Sequence, residues 1–228
     1  MNTNTSEQGM NQSFTYATWV GLLISYSSLT AISLLFKSLF GSPLSDVPMI
    51  IRELSMLAMV GVLLWIIVAK EHLPLSSIGL HSQKWGASLG WAAITVVVCF
   101  ALALGTIELV KQFGWKYGDS DAFSKISLGT ITLITVRAGV AEDIFMRGFI
   151  IERLSTLTGN TYLAAALSLV PFALFHYWQG PAGILISFVL GGVLTGMYIW
   201  RRDLKSNIIA HFLVDFIANV VPALVQKL

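Results

Sequence analysis

Charged residues are scarce in this chain. Only 11% of the 228 residues are Asp, Glu, Lys or Arg, while 55% are hydrophobic; soluble globular proteins carry roughly 25% charged residues, so an ordinary water-soluble domain is excluded. Cysteine is all but missing: Cys99 stands alone inside the apolar run 92–104, which rules out an intrachain disulfide and every multi-cysteine metal site. The charge balance is nearly even, 14 Lys and Arg against 12 Asp and Glu. No basic stretch is interleaved with aromatics, so nucleic acid is not an expected partner. HExxH is absent as well, which removes zincins, and the GxSxG match, GASLG at 86–90, opens an apolar helical run instead of joining a strand to a helix, so it is not read as a serine elbow. The first 15 residues hold one Glu and neither Lys nor Arg, and no small-residue cleavage pattern follows the next apolar run. They read as a short polar tail rather than a signal peptide.

In place of charge the chain has apolar runs near the roughly 20 residues that cross a bilayer's hydrocarbon core as a helix. Seven can be drawn: 16–35, 49–69, 85–110, 126–157, 162–178, 182–200 and 207–225. Backbone that faces lipid must be hydrogen-bonded internally. The expected fold is therefore an all-α polytopic transmembrane helical bundle of about seven to eight helices, with the lipid bilayer as its first partner. The most polar connection, KQFGWKYGDSDAFSK at 111–125, separates three leading spans within 16–110 from about four within 126–228. The fourth run is too long for a simple span: its 32 residues would reach about 48 Å as α-helix, so it is expected to tilt, break or enter the aqueous interface. Loop charges divide evenly, with Lys70, Lys84, Arg153, Arg201, Arg202 and Lys205 on one side and Lys37, Arg52, Lys111, Lys116, Lys125 and Lys227 on the other. The dense cluster WRRDLK at 200–205 tilts the reading towards a cytoplasmic first side, with the N-terminus there.

A charge at the centre of a membrane helix costs roughly 2.5–3.5 kcal/mol, so ionisable groups inside apolar runs need partners or a function. Three places in the C-terminal half qualify. Glu142, Asp143 and Arg147 interrupt AGVAEDIFMRGFI, His176 ends the apolar run in PFALFHYW, and His211 and Asp215 lie within IIAHFLVDFIAN. Arg137 also falls in the fourth run, where it can snorkel to the interface or pair with an acid; it is left without a role. Asp143 and Arg147 stand four apart with the acid first, the favourable order for an ion pair. Glu142, five before Arg147, lies about 140° away round an α-helix; it can face the bundle interior as a candidate base. Asn207, His211, Asp215 and Asn219 recur every four residues, one polar stripe expected to face a wet cavity.

Pro171 precedes Phe172 and His176, leaves one carbonyl without its usual donor, and is expected to kink or loosen the helix beside His176. Gly192 with Gly196, and Ser187 with Gly191, have the small-residue spacing expected to pack helices closely. His72 and His81 flank the loop LPLSSIG and are assigned no chemistry.

Structural readings of these residues stand beside the chemical one. Asp143 with Arg147 can be a plain ion pair, His176 an interfacial anchor next to Tyr177 and Trp178, and His211 with Asp215 a hydrogen-bonding glue between helices. Taken together, an acid, two histidines and a second acid permit hydrolysis. Glu142 would take a proton from water while groups opposite stabilise the oxyanion formed at an attacked carbonyl. With GASLG set aside, the sole cysteine in another run and HExxH absent, water or metal-bound water is the nucleophile left.

At these residues the sequence resembles the CPBP intramembrane proteases, the Abi or type II CAAX-processing family. The resemblance covers roughly 126–220. The family's E-E-x-x-x-R motif is matched by Glu142, Asp143 and Arg147, its F-x-x-x-H by Phe172 and His176, and its H-x-x-x-N or D by His211 and Asp215. The resemblance implies a membrane endopeptidase in which Glu142 and His176 hold and activate water, and His211 and Asp215 bind the oxyanion side of a peptide or membrane-protein substrate. It implies a structural or orienting role for Arg147. Members of the family have been described both as metalloproteases and as glutamate-dependent enzymes, and Glu142, His176, His211 and Asp215 form a set that can ligate zinc.

The chain departs from the motifs twice. Asp143 replaces the second glutamate, one methylene shorter. Asp215 stands where many members carry Asn, and an ionised carboxylate accepts hydrogen bonds but cannot donate one to an oxyanion; Asp215 must be protonated, orient His211 or bind metal. The reading that follows is a multi-pass endopeptidase of a cell membrane, of the bacterial inner-membrane kind. Two others compete: a non-catalytic immunity or binding protein that keeps these groups for packing or ligand binding, and a proton-coupled carrier with Glu142 and His211 as its relay.

Overall fold

The computed structural model describes residues 15–81, 85–116 and 126–226. All but the last residue of the polar tail, Lys84, Lys227 and residues 117–125 of the central polar loop lie outside them. Every apolar run is found as helix, and the described residues contain no strand. Helix α1 spans Tyr16–Phe40, opened by Thr15, whose hydroxyl accepts from the Thr18 N–H at 3.3 Å. It ends at Gly41, whose φ of 77° few other residues adopt readily. Helix α2 spans Asp46–Trp65 and continues as a π-helical turn, Ile66–Lys70. Helix α3 spans Trp85–Gln112.

The fourth run neither breaks nor ends early. It is one rod in three parts: α4 at Leu128–Arg137, a π-helical stretch at Ala138–Ile150, and α5 at Ile151–Thr158. Then come α6 at Thr161–Leu174, α7 at Gly180–Arg201, α8 at Leu204–Asp215, a π turn at Phe216–Val220, and α9 at Val221–Gln226.

Among the described residues five helical stretches are long and apolar enough to cross a membrane: Tyr16–Phe40, Asp46–Lys70, Trp85–Gln112, Tyr177–Arg201 and Leu204–Val225. Their outward faces carry exposed Leu23, Leu39, Val97, Leu104 and Val225, the pattern of a bundle whose solvent is lipid. The three-part rod is different. Eleven of the 13 residues of its π stretch are buried, and Phe145, Phe149 and Ile150 lie at the centre of the main core with Leu63, Ile67 and Phe172. A helix enclosed on nearly all sides is the axis of a bundle. Helices α1 and α2 pack on one flank of this axis and α8 on another, with α3 lying against α7 and α8.

The two ends of the bundle are tied by different polar contacts. At one, Arg153 grips Glu71 (2.8 and 3.1 Å), Thr18 donates to Glu71 (2.7 Å), Ser88 donates to Asp203 (2.6 Å) and Tyr198 donates to Glu152 (2.7 Å). At the other, Asp46 accepts from the Ser127 N–H and the Thr130 hydroxyl, both at 2.8 Å, and Lys37 lies 4.8 Å over the Trp178 ring.

Two sequence expectations need correction here. Gly196 has open space where a Cβ would go, and Gly192 meets only Leu169 at 3.8 Å, so this pair does not make the close contact. Gly191 does: a Cβ there would lie 2.7 Å from the Phe172 ring and 3.1 Å from Arg147. The second correction concerns the polar stripe, which does not share one wet face. Asn207 is buried and donates to the Leu194 carbonyl of α7 at 2.7 Å, while Asn219 bonds back to the Asp215 carbonyl at 2.8 Å within the π turn. A π turn bonds residue i to i+5, so a four-residue repeat loses its common face there.

Candidate functional site

The π stretch arranges the acids. Of its 13 residues only Val140 and Glu142 escape full burial, the Glu142 side chain being 14% exposed and that of Asp143 not at all. Neighbouring carboxylates therefore point different ways, as the helical spacing predicts. Glu142 lines a cavity of about 160 Å³ between α1, α2, the π stretch and the α6–α7 turn, roomy enough for water. His176 lines the same cavity, with Arg52, Arg137, Thr30, Ser33 and the apolar walls of Met56, Phe175 and Trp178.

His176 is presented by the end of α6. Pro171 removes the N–H that the Leu167 carbonyl would otherwise receive, and the Tyr26 hydroxyl of α1 donates to that carbonyl at 3.0 Å. The helix stops at Leu174, and the His176 Nδ1 sits 2.9 Å from the Phe172 carbonyl. A carbonyl can only accept, so Nδ1 carries the hydrogen and, in the neutral ring, Nε2 keeps its lone pair.

Asp143 turns inward and serves two partners. Its Oδ2 lies 3.0 Å from His211 Nδ1, and its Oδ1 lies 3.5 Å from Arg147 Nη1 with no hydrogen bond to either of those two atoms. The orienting role that the sequence leaves to Asp215 thus falls to Asp143. Asp215 Oδ2 is 3.7 Å and Glu142 Oε2 is 3.9 Å from His211 Nε2, both beyond direct hydrogen bonding and within reach of a bridging water. Phe172 joins these groups. Its ring is 5.0 Å from the His176 ring and 6.4 Å from that of His211, with the Arg147 guanidinium 4.2 Å above it. Gly191 leaves room for this stack.

Sequence reasoning missed Glu53 and Arg52 and left Arg137, read as able to pair with an acid, without a role. Arg137 donates from Nη1 to Glu142 Oε1 and from Nε to Glu53 Oε2 at 2.6 Å. Arg137 and Glu142 are five apart, a spacing that an α-helix splays and a π-helix brings together. Glu53, wholly buried in α2, also takes Arg52 on Oε1. The same insertion cost that singled out Glu142 applies to a glutamate inside the run 49–69, and that was the available signal.

Among the described residues no three His, Cys, Asp or Glu side chains are grouped so as to hold a metal ion. Glu142, His176, His211 and Asp215 thus make no such group here, and no step of the chemistry below runs through a metal.

Residues 124–217 match the family model described as type II CAAX prenyl endopeptidase, Rce1-like. The matched stretch contains all three motifs, 142–147, 172–176 and 211–215, and agrees with the family resemblance read from them; α1, α2 and α3 lie outside it. No curated protein and no solved structure matches the chain.

Proposed function

We propose that the chain is a multi-pass intramembrane endopeptidase, of the bacterial inner-membrane kind, that hydrolyses a peptide bond with water activated by Glu142 and His176. The observation that carries this is the single cavity lined by both side chains, with Glu142 the one acid of its helix that reaches it. The matched family supports the general class.

Water held between the Glu142 carboxylate and His176 Nε2 loses a proton to Glu142 as its oxygen attacks the carbonyl carbon. The carbonyl π electrons move to oxygen. His211, doubly protonated with Nδ1–H on Asp143, offers Nε2–H to that oxyanion, and Asp215 completes this side of the site as a protonated acid or through a bridging water. When the oxyanion collapses, the carbon–nitrogen bond breaks and the proton on Glu142 passes to the leaving amine, which returns the carboxylate. The apolar walls from Met56, Phe172, Phe175 and Trp178 suit a peptide segment with hydrophobic side chains.

The test is cleavage of a membrane-presented peptide library by the detergent-purified protein, wild type beside Glu142→Gln, each with and without a chelator. Cleavage is expected from wild type and lost by at least about 10²-fold in the variant. Chelator sensitivity of the wild type would replace the metal-free chemistry, and equal cleavage by both proteins would remove Glu142 as catalyst.

A further inference from the structure

We propose that Glu53 and Arg137 are positioning residues for Glu142, so that α2, outside the matched stretch, forms part of the catalytic apparatus. The inference rests on the peptidase reading above. Glu53 is fully buried and has both carboxylate oxygens engaged by guanidinium groups: Oε1 by Arg52 and Oε2 by Arg137 Nε at 2.6 Å. Arg137 is thereby clamped between two acids, Glu53 on α2 and Glu142 on the π stretch. A planar guanidinium that donates along two fixed directions sets the position of each carboxylate relative to the other.

The consequence falls on one bond of Glu142. With Oε1 tied to Arg137, the carboxylate cannot rotate away, and Oε2 is left towards His211 Nε2 and the cavity. The chain of contacts is closed in charge, two arginines against two glutamates, so no member can be removed without leaving a buried charge unmatched. Glu53 has no place in the cavity lining and acts only through Arg137.

The test uses the full chain and a peptide that the wild type cleaves, comparing Glu53→Gln, Arg137→Lys, Arg137→Ala and Glu142→Gln in kcat, KM and melting temperature. Glu53→Gln and Arg137→Ala are expected to lower kcat by about 10²-fold, the cost of a small misplacement, with KM within about twofold because neither holds the substrate. Arg137→Lys keeps the charge but not the fork and should fall between them and wild type. Added guanidinium should restore kcat to Arg137→Ala and do nothing for Glu142→Gln, a response that a general packing defect does not give. Wild-type kcat in Arg137→Lys and Glu53→Gln, with Glu142→Gln inactive, would overturn this inference alone. So would a folded Arg137→Ala that guanidinium leaves unrescued. Wild-type cleavage by Glu142→Gln would instead overturn the peptidase reading. If Arg137→Ala fails to fold, Arg137→Lys decides.

Discussion

Replacing Asp143 by leucine should separate what holds this bundle together from what makes it act. Asp143 and Arg147 are both buried and 3.5 Å apart. At an effective dielectric of about 20, that separation gives an attraction of about 5 kcal/mol, the same order as the roughly 3–5 kcal/mol lost when one partner of a buried pair is removed. Asp143→Leu is therefore expected to lower the melting temperature by about 6–20 °C, at roughly 2–4 °C per kcal/mol for a chain of this size. Adding Arg147→Met removes the stranded cation and keeps a sulfur against Phe172. The double variant still lacks the acceptor of His211 Nδ1 and the Arg147 Nη2 bond to the Gly191 carbonyl, so it should recover part of that stability and not all of it. Cleavage should not recover, since His211 Nδ1 has lost its acceptor in both variants. Thermal melts in one detergent beside the peptide assay read the two effects separately. A single variant that melts within about 2 °C of wild type, or a double variant no more stable than the single, would refute the electrostatic reasoning; full activity in either would refute the orienting role of Asp143.

Three further outcomes follow from packing and hydrogen bonding. Gly191→Ala should destabilise by about 1–3 kcal/mol through overpacking against Phe172 and Arg147, whereas Gly196→Ala, facing open space, should be neutral or stabilising by up to about 1 kcal/mol; paired melts check the contrast. Tyr26→Phe should cost about 0.5–1.5 kcal/mol by leaving the Leu167 carbonyl unpaired, and the cost should shrink in a Pro171→Ala background, where an N–H can return to it. Tyr198→Phe should cost about 1–3 kcal/mol because Glu152 loses a buried donor at 2.7 Å, with cleavage unchanged, since this contact lies at the bundle end tied by Arg153 and Glu71.

The helices were legible because a run of apolar residues near bilayer length leaves the backbone few alternatives. The division of labour between Glu142 and Asp143 was legible for a related reason: adjacent positions on any helix diverge, and Arg147 sits at the right spacing to keep one of them. The π register was not legible. It changes which residues bond along the backbone without changing composition or hydropathy, so Arg137 read as able to pair with an acid, but not with the one five residues away. Glu53 to Arg137 spans 84 positions and Tyr26 to Leu167 spans 141, contacts that a reading of local spacing does not reach. Gly192 and Gly196 show the converse failure: the spacing was right for close packing, and the neighbour stood on the other side, at Gly191.

The π-helical stretch gives the number of residues a meaning apart from their identity. A helix whose bonds close on i+5 holds more residues per turn than one that closes on i+4, so Arg137 and Glu142, five apart, share a face only while that wider pairing lasts. Were the same residues to close on i+4 with none removed, Glu142 would stand about 140° round the helix from Arg137. Glu142 would then leave the cavity and Arg137 with every side chain of the proposed site still present. This rod should therefore be sensitive to its backbone pairing as well as to its side chains: a change of length that the π pairing does not absorb would be disabling here and silent in the loops on either side.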